Sequence, residues 1–523
     1  MISGYRKYLY LSYLVFVMSS DAQVFDGFTL FSSYNNTQNI SLLISNNLNV
    51  LHTWEHENGP ASMPYLMPDS SIIYPYKVQN PSMIAPGVGG GIQRIKWNGT
   101  IIWDYTFSDS VYQHHHDIEI IPNYNIIIIV WERKTDTEAY SIGRQTIESV
   151  LNEIWAPAIL ELEPETGDIV WEWHVWDHLI QDIDSSLVNY GIVSEHPELM
   201  DINFGNIGDG DANADWMHVN SVDYNPQLDQ IVISSRNMNE FYIIDHSTTS
   251  EEASSHTGGL YNKGGDFLYR WGNPEVYDRG NPENKQLYGQ HDVNWIENGY
   301  PEQGSLILFN NGLDRPDGNY SSIDVITPII EENGHYSISP DLPFLPEELS
   351  WTFSDNENFF SGRQSGAQRL PNGNTLITIF DDNRIIEVSL LEGIIWEYIL
   401  NDGSTGIPRA KKYGIDYFNS NNLGELNNDL GQNFTLIQNF PNPFNPVTSI
   451  RYYLPEDALV NITIYDLMGR VVKTLINDQQ TAGYTSLRWD ATNEAGSPVS
   501  AGIYLYTIQA GDFRQTKMMV LLK

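Results

Sequence analysis

The chain has 523 residues, 41% hydrophobic and 18% charged, which excludes a disordered polymer and suffices for a large core with an appendage. Its 67 acidic and 27 basic residues give a net charge of −40, which repels phosphate backbones and excludes nucleic acid as a partner. With no cysteine there are no disulfides, thiolate nucleophiles or cysteine-based zinc sites, although a large core can live outside the cell without such staples.

Residues 1–22 read as a secretory signal. Arg6 and Lys7 form a basic start, 8–18 are mostly apolar, and Ser20-Asp21-Ala22 supplies small residues for cleavage near Ala22–Gln23. The apolar run is too short to span a bilayer.

From 24 to 418 two elements alternate. One is a hairpin whose second strand carries tryptophan, as in SLLISNNLNVLHTWEH (41–56), GIQRIKWNGTIIWDYTF (91–107) and RIIEVSLLEGIIWEYIL (384–400). Six copies carry Trp54, Trp103, Trp171, Trp271, Trp351 and Trp396. The other is a short strand, a Pro/Asn/Gly/Asp turn and a stronger apolar strand, as in DIEIIPNYNIIIIVWE (117–132) and AQRLPNGNTLITIF (367–380). Two hairpins make a four-stranded blade, so the repeat predicts an all-β, six-bladed β-propeller. The sixth copy of the second element is indistinct. The ring is expected to close by pairing GFTLFSS (27–33) with the C-terminal end of the repeats, which removes open edges. The insertion at 177–215 and the partly helical pattern at 140–155 are expected on one rim, as a lid.

A polar linker at 419–432 precedes 433–523. There, alternating runs such as VNITIYDLMG and GIYLYTIQAG, with turns every few residues, predict a small Ig-like β-sandwich.

Rotation about a propeller axis brings the starts of the innermost strands together. The second element is preceded by histidine in three consecutive copies: QHHHD (113–117), DWMHVN (215–220) and GQHDVNW (289–295). His116, His218 and His291 are therefore expected to converge, and Arg236, in SSRN (234–237), ends an outgoing strand beside them. Asn220 belongs to the same group, and His115 competes with His116 for the inward place, with His114 behind them. Three imidazoles also suit zinc, but a guanidinium beside a dication is unfavourable, whereas a tetrahedral oxyanion satisfies every group. No metal or other cofactor is called for. Asp209, Asp211, Asn213 and Asp215 alternate oxygen ligands at a calcium-like spacing, but without the later glutamate of an EF-hand they read more plainly as a solvated acidic loop.

The run DWMHVNSVDYNPQLDQIVISSRNMNEFYIID (215–245), with HHHDIEIIPN (114–123), GQHDVN (289–294), SGAQRLPNGNTLIT (365–378) and GIPRAKKYGIDY (406–417), resembles the bacterial aryl-sulfate sulfotransferase family over 27–418. The resemblance implies transfer of a sulfuryl group from an aryl sulfate donor to a phenolic acceptor, by ping-pong through a sulfohistidine and without a nucleotide donor. It implies His291 as nucleophile, with His218, Asn220 and Arg236 on the sulfuryl oxygens and His116 or His115 beside them. A neutral imidazole nucleophile implies activity that falls in acid. A ligand-binding propeller without turnover and a metal- or quinone-dependent oxidoreductase are the rival readings. QNFPNPFNPVTSIRYYLP (438–455), DLMGRVV (466–472), SAGIYLY (500–506) and KMMVLLK (517–523) resemble the sorting domain of the type IX secretion system. That implies the secretion machinery as a partner and a secreted or cell-surface destination.

Overall fold

The computed structural model describes residues 23–522 apart from 36–37, 209–211, 332–333, 355–358, 390–392, 416, 419–433, 437–438, 440–441, 482 and 512. The expected signal at 1–22 and linker at 419–432 lie outside the described residues. No described helix is long and apolar enough to cross a membrane.

The apolar run IIIIVW shows why these sequences make blades. In the strand Ile126–Thr135, Ile127, Ile129 and Trp131 pack into one cluster while Ile126, Ile128 and Val130 pack into another. Both faces are covered, so the run is continuously apolar rather than alternating with polar residues. Among the described residues, six four-stranded antiparallel sheets form on this plan. Their innermost strands are Tyr65–Leu66, Tyr112–Ile120, Val219–Asn225, His291–Trp295, Gly366–Arg369 and Ala410–Gly414, taken as blades one to six.

The sixth blade closes the ring. Its innermost strand, Ala410–Gly414, pairs antiparallel with Gly27–Ser32, with Phe28 opposite Tyr413 and Leu30 opposite Lys411. This is the element that was indistinct in the repeat. All six repeat tryptophans lie on outermost strands. Several tie a blade to the next: the indole N–H groups of Trp54, Trp171, Trp271 and Trp396 donate to Lys96 O, Thr248 Oγ1, Pro346 O and Asn46 O.

Two expectations change. The helical pattern at 140–155 gives only the end of a short helix, Asp136–Ser141, capped by Thr135; from Glu153 the chain is strand. Gly143, at φ +98°, ends the helical path, and Arg144 then donates to the carbonyls of Thr146, Ile202 and Gly205. The 177–215 insertion is not a free lid. A two-stranded parallel pair, Leu179–Ile180 with Met200–Asp201, folds it onto the largest core cluster, and the buried Arg270 holds the Leu199 carbonyl.

In the C-terminal part a three-stranded sheet (Thr435–Leu436, Thr448–Leu454, Gly483–Trp489) and a four-stranded sheet (Val471–Gln480, Ala458–Asp466, Gly502–Ala510, Phe513–Leu521) make the Ig-like sandwich. Ile450, Val460, Ile462, Trp489 and Tyr506 are in its core.

Ring closure also rests on a buried charge. Glu387 accepts from Lys412 Nζ on the closing strand at 2.7 Å, from Asn374 Nδ2 at 2.6 Å and from the Phe25 N–H at 2.6 Å. Both side chains of the Glu387–Lys412 pair are fully buried. Removing one partner strands the other, so Glu387→Ala should lower propeller stability by about 3–5 kcal/mol. The paired change Glu387→Leu with Lys412→Met should recover only part of that, because the Asn374 amide and the Phe25 N–H lose their acceptor, as read by the midpoint of thermal or denaturant unfolding.

Candidate active site

The innermost strands of blades two, three and four do not begin as regular ladders. Their pairing shifts register between His114 and Ile118, between Val219 and Ser221, and between His291 and Asn294. His116, His218 and Asp292 adopt left-handed backbone, at φ +54°, +51° and +58°. Such bulges re-aim side chains that the strand would otherwise send to a blade face. One cavity of about 1010 Å³ is lined by His116, His218, His291 and Arg236, from three blades. The His116 and His218 ring centres are 4.7 Å apart, edge to face.

Each imidazole has a different partner. His291 Nδ1 lies 2.8 Å from Asn311 Oδ1 and 3.0 Å from Gly289 O, two acceptors, so Nδ1 carries the proton and Nε2 keeps its lone pair. The Asn311 amide is itself fixed by donating to Ser361 O and Gln364 O. Burial, reinforced by the charges of Arg236 and His218 against the pull of the Asn311 hydrogen bond, lowers the His291 pKa to about 3. The Gln364 N–H is 3.3 Å from Nε2, a long contact. His218 Nδ1 is 2.5 Å from Asp215 Oδ2, so Nε2 is its free nitrogen. His116 shares a proton with His115 across a 2.8 Å Nδ1···Nδ1 contact, and burial holds its pKa well below the usual imidazole value. Gly87 makes room for this ring: a Cβ there would stand 1.9 Å from His116 Cε1.

Arg236 is half-buried and, among the described residues, forms no ion pair; its one side-chain hydrogen bond is a long 3.5 Å contact to Asn237 Oδ1. Burial lowers its pKa from the usual guanidinium value. Asp215 and Asp314 favour its charge from beyond ion-pair distance, so the planar five-donor fork can take an anion's oxygens.

Other sequence-predicted residues stand behind the wall. His115 is fully buried and stacked on Trp131, ring centres 4.1 Å apart, so His116 takes the inward place. His114 accepts the Gly90 N–H at 3.0 Å, and burial lowers its pKa to about 3. Asn220 does not line the cavity; its Nδ2 donates to Gln290 O at 2.7 Å, steadying the residue before His291. Asp209 and Asp211 lie outside the described residues, and both oxygens of Asp215 are taken, by Trp131 Nε1, the His218 N–H and His218 Nδ1.

Sequence reasoning missed Asn311, Gln364 and Arg409. The Arg409 guanidinium grips Asp117 and Asp292, the residues after His116 and His291, and also meets the Tyr65 hydroxyl. Burial opposes its charge, yet the two carboxylates outweigh that and raise its pKa well above the usual value. A second cavity, of about 630 Å³, borders Arg409 and Asp292 and is lined by Glu119, Asp223, Glu297 and Lys411. It holds no imidazole.

Among the described residues the side chains grouped closely enough to hold a metal are His178, His256 and Asp266, none of them in the 1010 Å³ cavity. Both nitrogens of His178 are already engaged, by Asp266 Oδ1 and Ala253 O.

Comparison with known proteins gives the following. No curated protein matches the chain. Among solved structures, a protein of unknown function from Bacteroides caccae is similar at 9% identity and TM-score 0.41, covering 74% of this chain and 98% of that one. A putative 6-phosphogluconolactonase from Bacteroides fragilis is similar at 10% and 0.37, covering 74% and 98%. Virginiamycin B lyase from Staphylococcus aureus is similar at 11% and 0.34, covering 72% and 87%. Residues 446–512 match the FlgD Ig-like domain. The arylsulfotransferase (ASST) family model matches residues 65–379, more than half of the chain and including His116, His218, Arg236 and His291, and the chain belongs to that family.

Proposed function

We propose that the protein transfers a sulfuryl group from an aryl sulfate to a phenol by ping-pong through a sulfohistidine on His291. The observation that carries this reading is the cavity in which a neutral imidazole lone pair, two further histidines and an unpaired arginine meet. His291 Nε2 attacks sulfur as the bond from sulfur to the phenolic oxygen breaks, and the aryl oxygen leaves with the bonding pair. Arg236 forks two nonbridging oxygens and offsets charge that grows there in the transition state. The Asn311 oxygen and Gly289 carbonyl accept hydrogen bonds from Nδ1–H, which keeps its proton, and so stabilise the sulfated imidazolium ring. His218 in its imidazolium form, with Nδ1–H held by Asp215, gives its Nε2 proton to the departing phenolate and recovers a proton from the acceptor phenol. The acceptor oxygen then attacks sulfur, the N–S bond breaks, and His291 returns to its neutral state. His116 donates to the third sulfuryl oxygen.

A binding module without turnover needs no free imidazole lone pair, and a metal centre gains nothing from a guanidinium at its edge. The same reading takes 1–22 as an export signal, 24–418 as the catalytic propeller and 433–523 as a sorting domain handled by type IX secretion, delivering the enzyme outside the cell. It is supported by the FlgD Ig-like match and the apolar N-terminal run.

Incubation with 4-nitrophenyl sulfate, with and without a phenol acceptor, tests the assignment. His291→Ala should lose nitrophenolate release by about 10³-fold or more, and quenched wild-type protein should carry one added SO₃ on the His291 peptide. Undiminished release by the variant refutes the nucleophile. Arg236→Met should lower kcat/KM by about 10²–10³-fold. Because the His291 pKa is lowered to about 3, the neutral nucleophile persists far below the ordinary imidazole range near 6.5. The burst of nitrophenolate, whose leaving group needs little protonation, should therefore hold its amplitude from neutral pH to about pH 4.5 and fall only below that.

A further inference from the structure

Resting on the sulfotransfer reading, we infer that the donor is an aryl sulfate bearing a second anionic group on its ring, and that Lys77 receives that group. The cavity has more positive charge than one sulfuryl group requires. Besides Arg236 it is lined by Lys77, Lys285 and Arg363, against the carboxylates Asp215 and Asp314. Asp215 is committed to His218, and Arg363 pairs with Asp381 at 3.2 Å. Lys77 is half-buried and makes no ion pair among the described residues. Burial lowers its pKa, and no carboxylate acts on it. With 67 acidic residues in the chain, a cavity lysine paired with no carboxylate among the described residues is placed for an anion from outside the chain.

Its position fixes which part of the ligand it meets. Lys77 Nζ stands 4.4 Å from the centre of the Tyr34 ring. The Tyr34 hydroxyl donates to Ala61 O at 3.1 Å and accepts from Gln364 Nε2 at 3.4 Å, and the Gln364 N–H is the group 3.3 Å from His291 Nε2. Lys77, Tyr34, Gln364 and His291 thus form one row along the wall. Phe380 stands edge-on to Tyr34 at 5.8 Å between ring centres. An arene whose sulfur lies at His291 runs along these two rings, and its far end meets the ammonium. A carboxylate or second sulfate there gains a charge-assisted hydrogen bond; an uncharged substituent leaves Lys77 covered and unpaired.

The test compares 4-carboxyphenyl sulfate with its methyl ester, using the whole protein. The ester has the better phenolate leaving group, so chemistry alone favours it. Wild type should nevertheless prefer the free acid in kcat/KM by about tenfold. In Lys77→Met that ratio should collapse towards one, while Lys285→Met keeps it. A variant that turns over either donor is folded, so the ratio is its own control. The inference is overturned if wild type uses both donors without preferring the acid, if the preference survives in Lys77→Met, or if it disappears in Lys285→Met instead. Wild type inert towards both donors and towards 4-nitrophenyl sulfate removes the sulfotransfer reading and this inference with it.

Discussion

The site depends on ring closure. Arg409 sits immediately before the closing strand Ala410–Gly414, and its guanidinium holds Asp117 and Asp292, which follow His116 and His291. Those two histidines come from blades two and four, 175 residues apart in sequence. Their mutual geometry is therefore set by a residue that arrives only when the last strand docks against the first. The clamp joins blades two, four and six through side chains. Glu387 repeats the logic further out, joining the closing strand, the fifth blade and the N-terminal Phe25 through one carboxylate.

How much of this was legible follows from what repeats. Tryptophan recurred because each outermost strand faces the same problem, covering the seam to the next blade. Histidine recurred because a rotation axis brings equivalent positions together, so His116, His218 and His291 could be named as neighbours before any distance was known. The choice between His115 and His116 was not legible. It depends on a bulge in which the ladder skips from His114 to Ile118, and alternation says nothing about a bulge. Asn311 and Gln364 do stand at repeat-equivalent places, Asn311 just past the outgoing strand of blade four as Arg236 is in blade three and Gln364 at the head of the inner strand of blade five, but an amide there carries no chemical signal of its own. Asp215 was legible as an oxygen ligand but not as the partner of His218, because the +51° φ at His218 folds the side chain back three residues.

The charge balance shows the same division between whole and part. A net charge of −40 makes the surface repel anions at long range, yet aryl sulfates are anions. Screening confines that repulsion to about 8–10 Å at ordinary ionic strength, and at higher salt to less. Inside the cavity the balance is local: Arg236, Lys77 and Lys285 line it, and Asp215 is held by three hydrogen bonds. Burial strengthens each of these local charges, because they are screened less than those outside.

Strained backbone recurs where the chemistry is proposed. Left-handed backbone at His116, His218, Asp292, Gln364 and Ser365 clusters at the heads of four successive inner strands. Each such residue costs on the order of 1 kcal/mol or more, and the cost persists only where surroundings over-determine the conformation. Here they do: His116 is pinned by the Gly87 carbonyl and His115, His218 by Asp215, Asp292 by Arg409 and the Ala367 N–H, and Ser365 by Ser361 and the Pro408 carbonyl. A regular strand would send these side chains alternately to the two blade faces, where neighbouring blades would bury them. The bend at each strand head is what lets a sheet built for packing present imidazoles to a channel. Polar residues tolerate that conformation better than β-branched ones, so the backbone requirement and the chemical requirement select similar side chains.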